Sequence, residues 1–113
     1  MKIPPVLIPL PIDSLIPEVL RIMAETPARS RTLLLASPGS GKTTRIPWAI
    51  ASASLRSAKG KVYVLEPRRI AAKLSAERVA VENEVRLGED VGYQFRFEKK
   101  RKDSTPLVFL TLN

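Results

Sequence analysis

Apolar residues occur in short blocks along the chain, and their spacing sets the elements. Residues 1–12 are apolar but interrupted by Pro4, Pro5, Pro9 and Pro11, which predicts an extended, proline-set arm. Leu15, Val19 and Ile22 follow at helical spacing, with Ile16, Leu20 and Met23 beside them. They predict a helix to about Glu25, capped by Asp13 or Ser14, with Pro17 in its first turn and Pro27 beyond its end. Thr32-Leu33-Leu34-Leu35-Ala36 is a continuous apolar run with a glycine-rich exit, the pattern of a buried parallel strand. A second helix is predicted from Lys42 to about Ser57, with Pro47 near enough to its start to be tolerated, with or without a kink. Ala58 to Gly60 read as a turn, Lys61 to Glu66 as a strand ended by Pro67, and Arg68 to about Glu84 as a helix. On that helix Ile70, Leu74 and Val81 share one face and Val79 falls opposite. A turn at Gly88–Asp90, a strand from Val91 to Glu98, a charged turn from Lys99 to Asp103 and a strand from Leu107 to Leu110 complete the reading.

Strands that alternate with helices predict an α/β fold with a mostly parallel sheet, flanking helices and right-handed crossovers. The natural division is an arm over 1–12 and one domain over 13–113. The 113 residues suffice for one small core. A net charge of +8 and a pI near 10.3 suit contact with phosphate groups, though a merely solvated basic surface would look the same. The sequence contains neither cysteine nor histidine. Disulfides, thiolate metal sites and histidine-based nucleophile schemes are therefore excluded, and any chemistry rests on Lys, Arg, Ser, Thr and carboxylates. With no apolar run of about 18 residues and no secretory pattern at the start, the expectation is a cytoplasmic protein without membrane contact.

Ala36-Ser37-Pro38-Gly39-Ser40-Gly41-Lys42-Thr43, followed by Thr44, joins a predicted strand to a predicted helix. It misses the strict phosphate-loop pattern only at Ala36, where the first glycine would stand. The working parts remain. Gly39 and Gly41 let the backbone turn its N–H groups onto an anion, and the helix start adds its dipole. Lys42 supplies a point charge, and Thr43 a hydroxyl for Mg²⁺. Lys42 and Thr43 are thus the candidate catalytic pair. Pro38, Gly39, Ser40, Gly41, Lys42, Thr43 and Thr44 are the candidate nucleotide-binding set. The pattern points to ATP or another nucleoside triphosphate without naming the base or the work done.

The next strand ends in Leu65-Glu66-Pro67-Arg68-Arg69-Ile70-Ala71-Ala72. Parallel strands deliver functional residues at their carboxyl ends, and two arginines at a helix start form a plausible phosphate clamp. With the phosphate loop, this segment and Val91-Gly92-Tyr93-Gln94-Phe95-Arg96-Phe97-Glu98, the chain resembles the first RecA-like domain of DEAH-box ATP-dependent helicases, from Leu10 to Thr111. Leu10-Pro11-Ile12-Asp13 and Glu66 resemble one bacterial branch in particular. The resemblance implies an incomplete RecA-like P-loop NTPase domain. It implies that Gly39 to Thr44 hold ATP phosphates and Mg²⁺, and that Arg78 stacks on the adenine. It also implies that Arg68, Arg69, Arg96 and Thr111 contact an RNA or DNA backbone. Read from the residues alone, the alternative for Arg78 is a solvated helix arginine, and for Arg96 a cross-strand contact with Glu98 or its neighbours in the Lys-rich turn.

Past Thr111 the likeness stops: Leu112 and Asn113 depart from the family's Thr-Asp/Glu-Gly motif, and no Asp-Glu-x-His box follows. The expectation is an ATP-binding portion of a helicase, inactive without the missing helicase domains and marginally stable with its sheet edges unpaired. A stand-alone, non-catalytic nucleotide or nucleic-acid binding module is the alternative. An unrelated P-loop kinase is disfavoured by the Pro-Arg-Arg and Gly-Tyr-x-x-Arg-Phe-Glu segments.

Overall fold

A computed structural model describes residues 10–25, 31–37, 39–53 and 61–111. The predicted arm lies outside the described residues up to residue 9, as does the turn predicted at 58–60. The helix predicted from Lys42 to about Ser57 stops earlier, at Ser52, with Ala53 extended at its C-cap. Leu10 is extended, but Pro11 and Ile12 already belong to a 3-10 turn, Pro11–Leu15, that leads into α1, Ile16–Glu25. Asp13 does not cap α1. Its Oδ2 instead accepts the Leu10 N–H at 2.8 Å, because the 3-10 turn starts one residue after Leu10. Helix α2 spans Lys42–Ser52 and runs through Pro47. Strand β1 is Val62–Leu65. Helix α3 is Arg69–Asn83, with Arg68 extended at its N-cap and Glu84 left-handed at its end.

The strand expected over 91–98 is instead a hairpin. Val91–Phe95 forms β2, Arg96 and Phe97 turn, and Glu98–Lys100 returns as β3. Phe97 makes the turn with a φ of 71°, a left-handed backbone uncommon for a bulky residue. At the other end of β2, Gly92 cannot be replaced lightly, since a Cβ there would lie 2.3 Å from the Lys100 carbonyl oxygen. Strand β4 is Leu107–Leu110.

The sheet order is β1-β4-β2-β3, with β1, β4 and β2 mutually parallel and β3 antiparallel at the edge. The core lies between this sheet and helices α2 and α3. It gathers Ala51, Ala72, Ala76, Val79, Val91, Tyr93, Leu107 and Phe109. Helix α3 therefore buries the face opposite the expected one: Ile70, Leu74 and Val81 are exposed, while Ala72, Ala76, Val79 and Ala80 are buried. Small side chains let the helix lie close on the sheet, and the buried area per residue is then set by the strands' larger side chains.

The second correction concerns residues 32–36. They form no strand among the described residues, and Leu33 and Leu35 are exposed. A strand exists through its ladder, and no partner strand lies beside this run among the described residues.

Candidate nucleotide-binding site

Between that run and α2 the backbone turns sharply. Gly39 and Gly41 both have positive φ, 79° and 95°, and Gly41 is the N-cap of α2. The Ser40 N–H donates to the Ser37 carbonyl at 3.1 Å, closing the turn. The Lys42 Nζ reaches back across the loop to donate to the Ala36 carbonyl at 3.1 Å. Pro47 has no N–H to give the Thr43 carbonyl, yet α2 starts cleanly at Lys42.

Above the loop lies an open cleft of about 440 Å³, lined by Leu10, Gly39, Gly41, Lys42, Thr43, Thr44 and Arg78. A Cβ on Gly41 would stand 2.6 Å from Leu10 Cδ1 and 3.1 Å from Ile12 Cγ2, so the lack of a side chain at Gly41 is what lets Leu10 and Ile12 pack this closely on the loop. The start of an eleven-residue helix, two glycines in the left-handed region, one lysine and a threonine suit an anion with several oxygens. The same features fit a nucleoside triphosphate with Mg²⁺. Thr43 offers the metal a hydroxyl, and the described residues hold no group of three or more acidic, His or Cys side chains that would bind a metal alone.

The structure thus brings together Gly39, Gly41, Lys42, Thr43, Thr44 and, from α3, Arg78. Ser40 does not line the cleft. It is buried, with its carbonyl accepting the Ile12 N–H at 3.1 Å. Pro38 lies outside the described residues. Sequence reasoning missed Leu10 as a lining residue, since an aliphatic side chain in a proline-rich stretch carries no chemical signal. It also missed Arg45, which is buried and ion-paired to Asp13 and Glu82. Among 19 Lys and Arg residues, nothing in the sequence singles out Arg45 for burial.

A second hollow, of about 460 Å³, opens at the carboxyl ends of the parallel strands. Leu65, Gln94, Phe95, Arg96, Phe97, Leu110 and Thr111 line it. Two of the four candidate nucleic-acid residues, Arg96 and Thr111, meet here. Arg68 and Arg69 stand exposed at the start of α3, just after β1, and do not line the hollow. The Arg96 guanidinium lies 4.8 Å from the centre of the Phe97 ring, and Glu98 pairs with Lys73. At the end of β1, burial pushes the Glu66 carboxyl above its usual range, and its Oε1 is buried without a hydrogen-bond partner.

No protein-family model matches the chain. Individual proteins do. The chain is 37% identical over 91 residues to the Arabidopsis thaliana pre-mRNA-splicing factor ATP-dependent RNA helicase DEAH10, covering 80% of this chain and 13% of that protein. It is 40% identical over 91 residues to the Drosophila melanogaster ATP-dependent RNA helicase DHX33, again covering 80% and 13%. The crystal structure of the Escherichia coli DEAH/RHA helicase HrpB superposes with a TM-score of 0.79 at 33% identity, over 91% of this chain and 12% of that one. The chain belongs with the DEAH-box helicases. A second crystal structure, of the E. coli DExH-box NTPase HrpB, gives a TM-score of 0.81 at 32% identity, over 94% of this chain and 12% of that chain. The described sheet and helices are thus of the RecA-like helicase type. The chain spans about an eighth of the length of these DEAH-box relatives. No described helix is long and apolar enough to cross a membrane.

Proposed function

We propose that this chain is the ATP-binding portion of a DEAH-box helicase acting in the cytoplasm on RNA or DNA. The observation that carries the reading is the cleft that collects Gly39, Gly41, Lys42, Thr43, Thr44 and Arg78 over one helix start. Backbone amides from the glycine loop would hold the triphosphate, and the Lys42 ammonium would lie against its terminal phosphates. Breaking its bond to the Ala36 carbonyl is a small cost beside contact with a polyanion. Thr43 would hold Mg²⁺, which neutralises phosphate charge when bound. Arg78 would stack its flat guanidinium on the base.

Arg68, Arg69, Arg96 and Thr111 would meet the nucleic-acid backbone at the carboxyl end of the sheet. Their support is placement: all four follow the ends of parallel strands or the turn beside them. Such contacts are tolerant of sequence and sensitive to salt.

ATP hydrolysis needs groups that orient water and offset transition-state charge, and the sequence carries no Asp-Glu-x-His box. The chain alone therefore turns over ATP more slowly than about 0.1 s⁻¹ even with RNA present. The separating experiment is a pair of variants read against two ligands. Lys42→Ala abolishes ATP binding and leaves RNA binding largely intact. Arg69→Ala weakens RNA binding almost equally for all sequences and lowers the salt slope by about one. An Arg69→Ala protein with altered ATP affinity and unaltered RNA affinity would remove that residue from the nucleic-acid site.

A further inference from the structure

Two residues that line the nucleotide cleft come from outside the glycine loop: Leu10, from before α1, and Arg78, from α3. One unbroken polar chain joins them. The Leu10 N–H donates to Asp13 Oδ2 at 2.8 Å. The same oxygen accepts Arg45 Nη1. Arg45 Nη2 lies 3.5 Å from Glu82 Oε2, and that oxygen accepts Arg78 Nε at 3.0 Å.

The middle of this chain is shielded from water. The side chains of Arg45 and Glu82 are only 9% and 12% exposed. A charge so placed is costly unless paired. Arg45 alone cannot balance Asp13 and Glu82. Arg78 brings the count to two cations against two anions, which gives this largely exposed side chain a reason to stay in one place. Its Nε edge is the tied one, so the flat face stays available. An arginine held in advance loses less freedom when a planar ligand stacks on it.

We propose that Asp13, Arg45 and Glu82 are positioning residues that fix Leu10 and Arg78 relative to one another as the sides of a slot for a purine base. This rests on the reading of Arg78 as the base contact. It adds that base affinity is set from the far side of Arg78, by residues that touch neither base nor phosphate. Phosphate affinity is set separately, by the loop.

The test compares Mg–ATP with inorganic tripolyphosphate, each titrated calorimetrically into the full chain. Tripolyphosphate reads the loop alone, whereas ATP reads loop and slot. Glu82→Gln keeps the shape and removes the charge. It weakens ATP binding roughly 5- to 30-fold, the worth of a cation–π contact, and leaves tripolyphosphate within about twofold. Arg78→Ala gives the same split, and adding Glu82→Gln to it changes nothing further. Should Glu82→Gln melt below the assay temperature, Asp13→Asn gives the same split from the Leu10 end. Equal loss for both ligands makes the chain a structural tie and overturns the proposal, as does unchanged ATP affinity. If Arg78→Ala abolishes the preference for ATP and Glu82→Gln does not, only the positioning role falls. If Arg78→Ala leaves the preference intact, the base-contact reading falls first and the positioning role with it.

Discussion

Leu33 and Leu35 are 83% and 81% exposed, whereas Leu107, Val108 and Phe109 are each 0% exposed. In sequence the two runs look alike: short, apolar, leucine-rich and bounded by turn residues. In the fold, Leu107–Leu110 has β1 on one side and β2 on the other, both parallel. Residues 31–37 have no ladder among the described residues. What they do contribute is a carbonyl at Ala36 for Lys42 and one at Ser37 for the loop turn. An apolar run is thus permission to be a strand. Pairing on its edges and cover on its faces decide whether it becomes one.

The comparison breaks most visibly at Phe109. Phe109→Ala empties the centre of the packed sheet and should cost about 3–5 kcal/mol, comparable with the whole stability of a small domain. Loss of the cooperative urea transition is the expected readout. Gly92→Ala comes next. Its methyl would meet backbone at the Lys100 carbonyl, so the β2–β3 hairpin must shift, at about 1–3 kcal/mol, visible as a lower urea midpoint.

Glu66, whose N–H extends the β1–β4 ladder by donating to the Leu110 carbonyl at 2.8 Å, gives a smaller effect with a sign fixed by pH. Burial raises its folded-state pKa above the ordinary 4.5. The folded protein then holds this proton more tightly than the unfolded chain. Stability falls as pH rises from the ordinary value through the raised one, and the penalty is complete only above the raised value. Glu66→Gln should therefore raise the melting temperature at pH 7 and leave it unchanged near pH 4. Leu33→Thr with Leu35→Thr is the smallest change in stability, within about 0.5 kcal/mol. Its effect should appear in light scattering as reduced self-association, since an exposed apolar run is what such association uses.

The sequence disclosed much of the layout. Strand β1, helix α3 and strand β4 lie within a residue or two of their predicted bounds, because Pro67, Gly88 and the β-branched runs punctuate them. The glycine loop was legible because its chemistry needs Gly, Lys and Thr at fixed offsets. What hid was every feature set by neighbours. Helix α3 turned its alanines inward and left Ile70, Leu74 and Val81 exposed, since the sheet beneath needs closeness more than bulk. The hairpin turn fell on Arg96 and Phe97, neither of them a turn residue by propensity. Arg45 was invisible because burial of a cation depends on two carboxylates distant in sequence, Asp13 and Glu82.

Everything proposed for function depends on the backbone amides of the glycine loop receiving phosphate. The most direct measurement is amide NMR of the isotope-labelled chain during titration with inorganic tripolyphosphate and Mg²⁺. The N–H signals of Gly39, Ser40, Gly41, Lys42, Thr43 and Thr44 should move first and saturate together, and Lys42→Ala should abolish the response. Early, saturating shifts at Lys99, Lys100 and Lys102 with a silent loop would contradict it, and would mean that phosphate reads the basic hairpin instead.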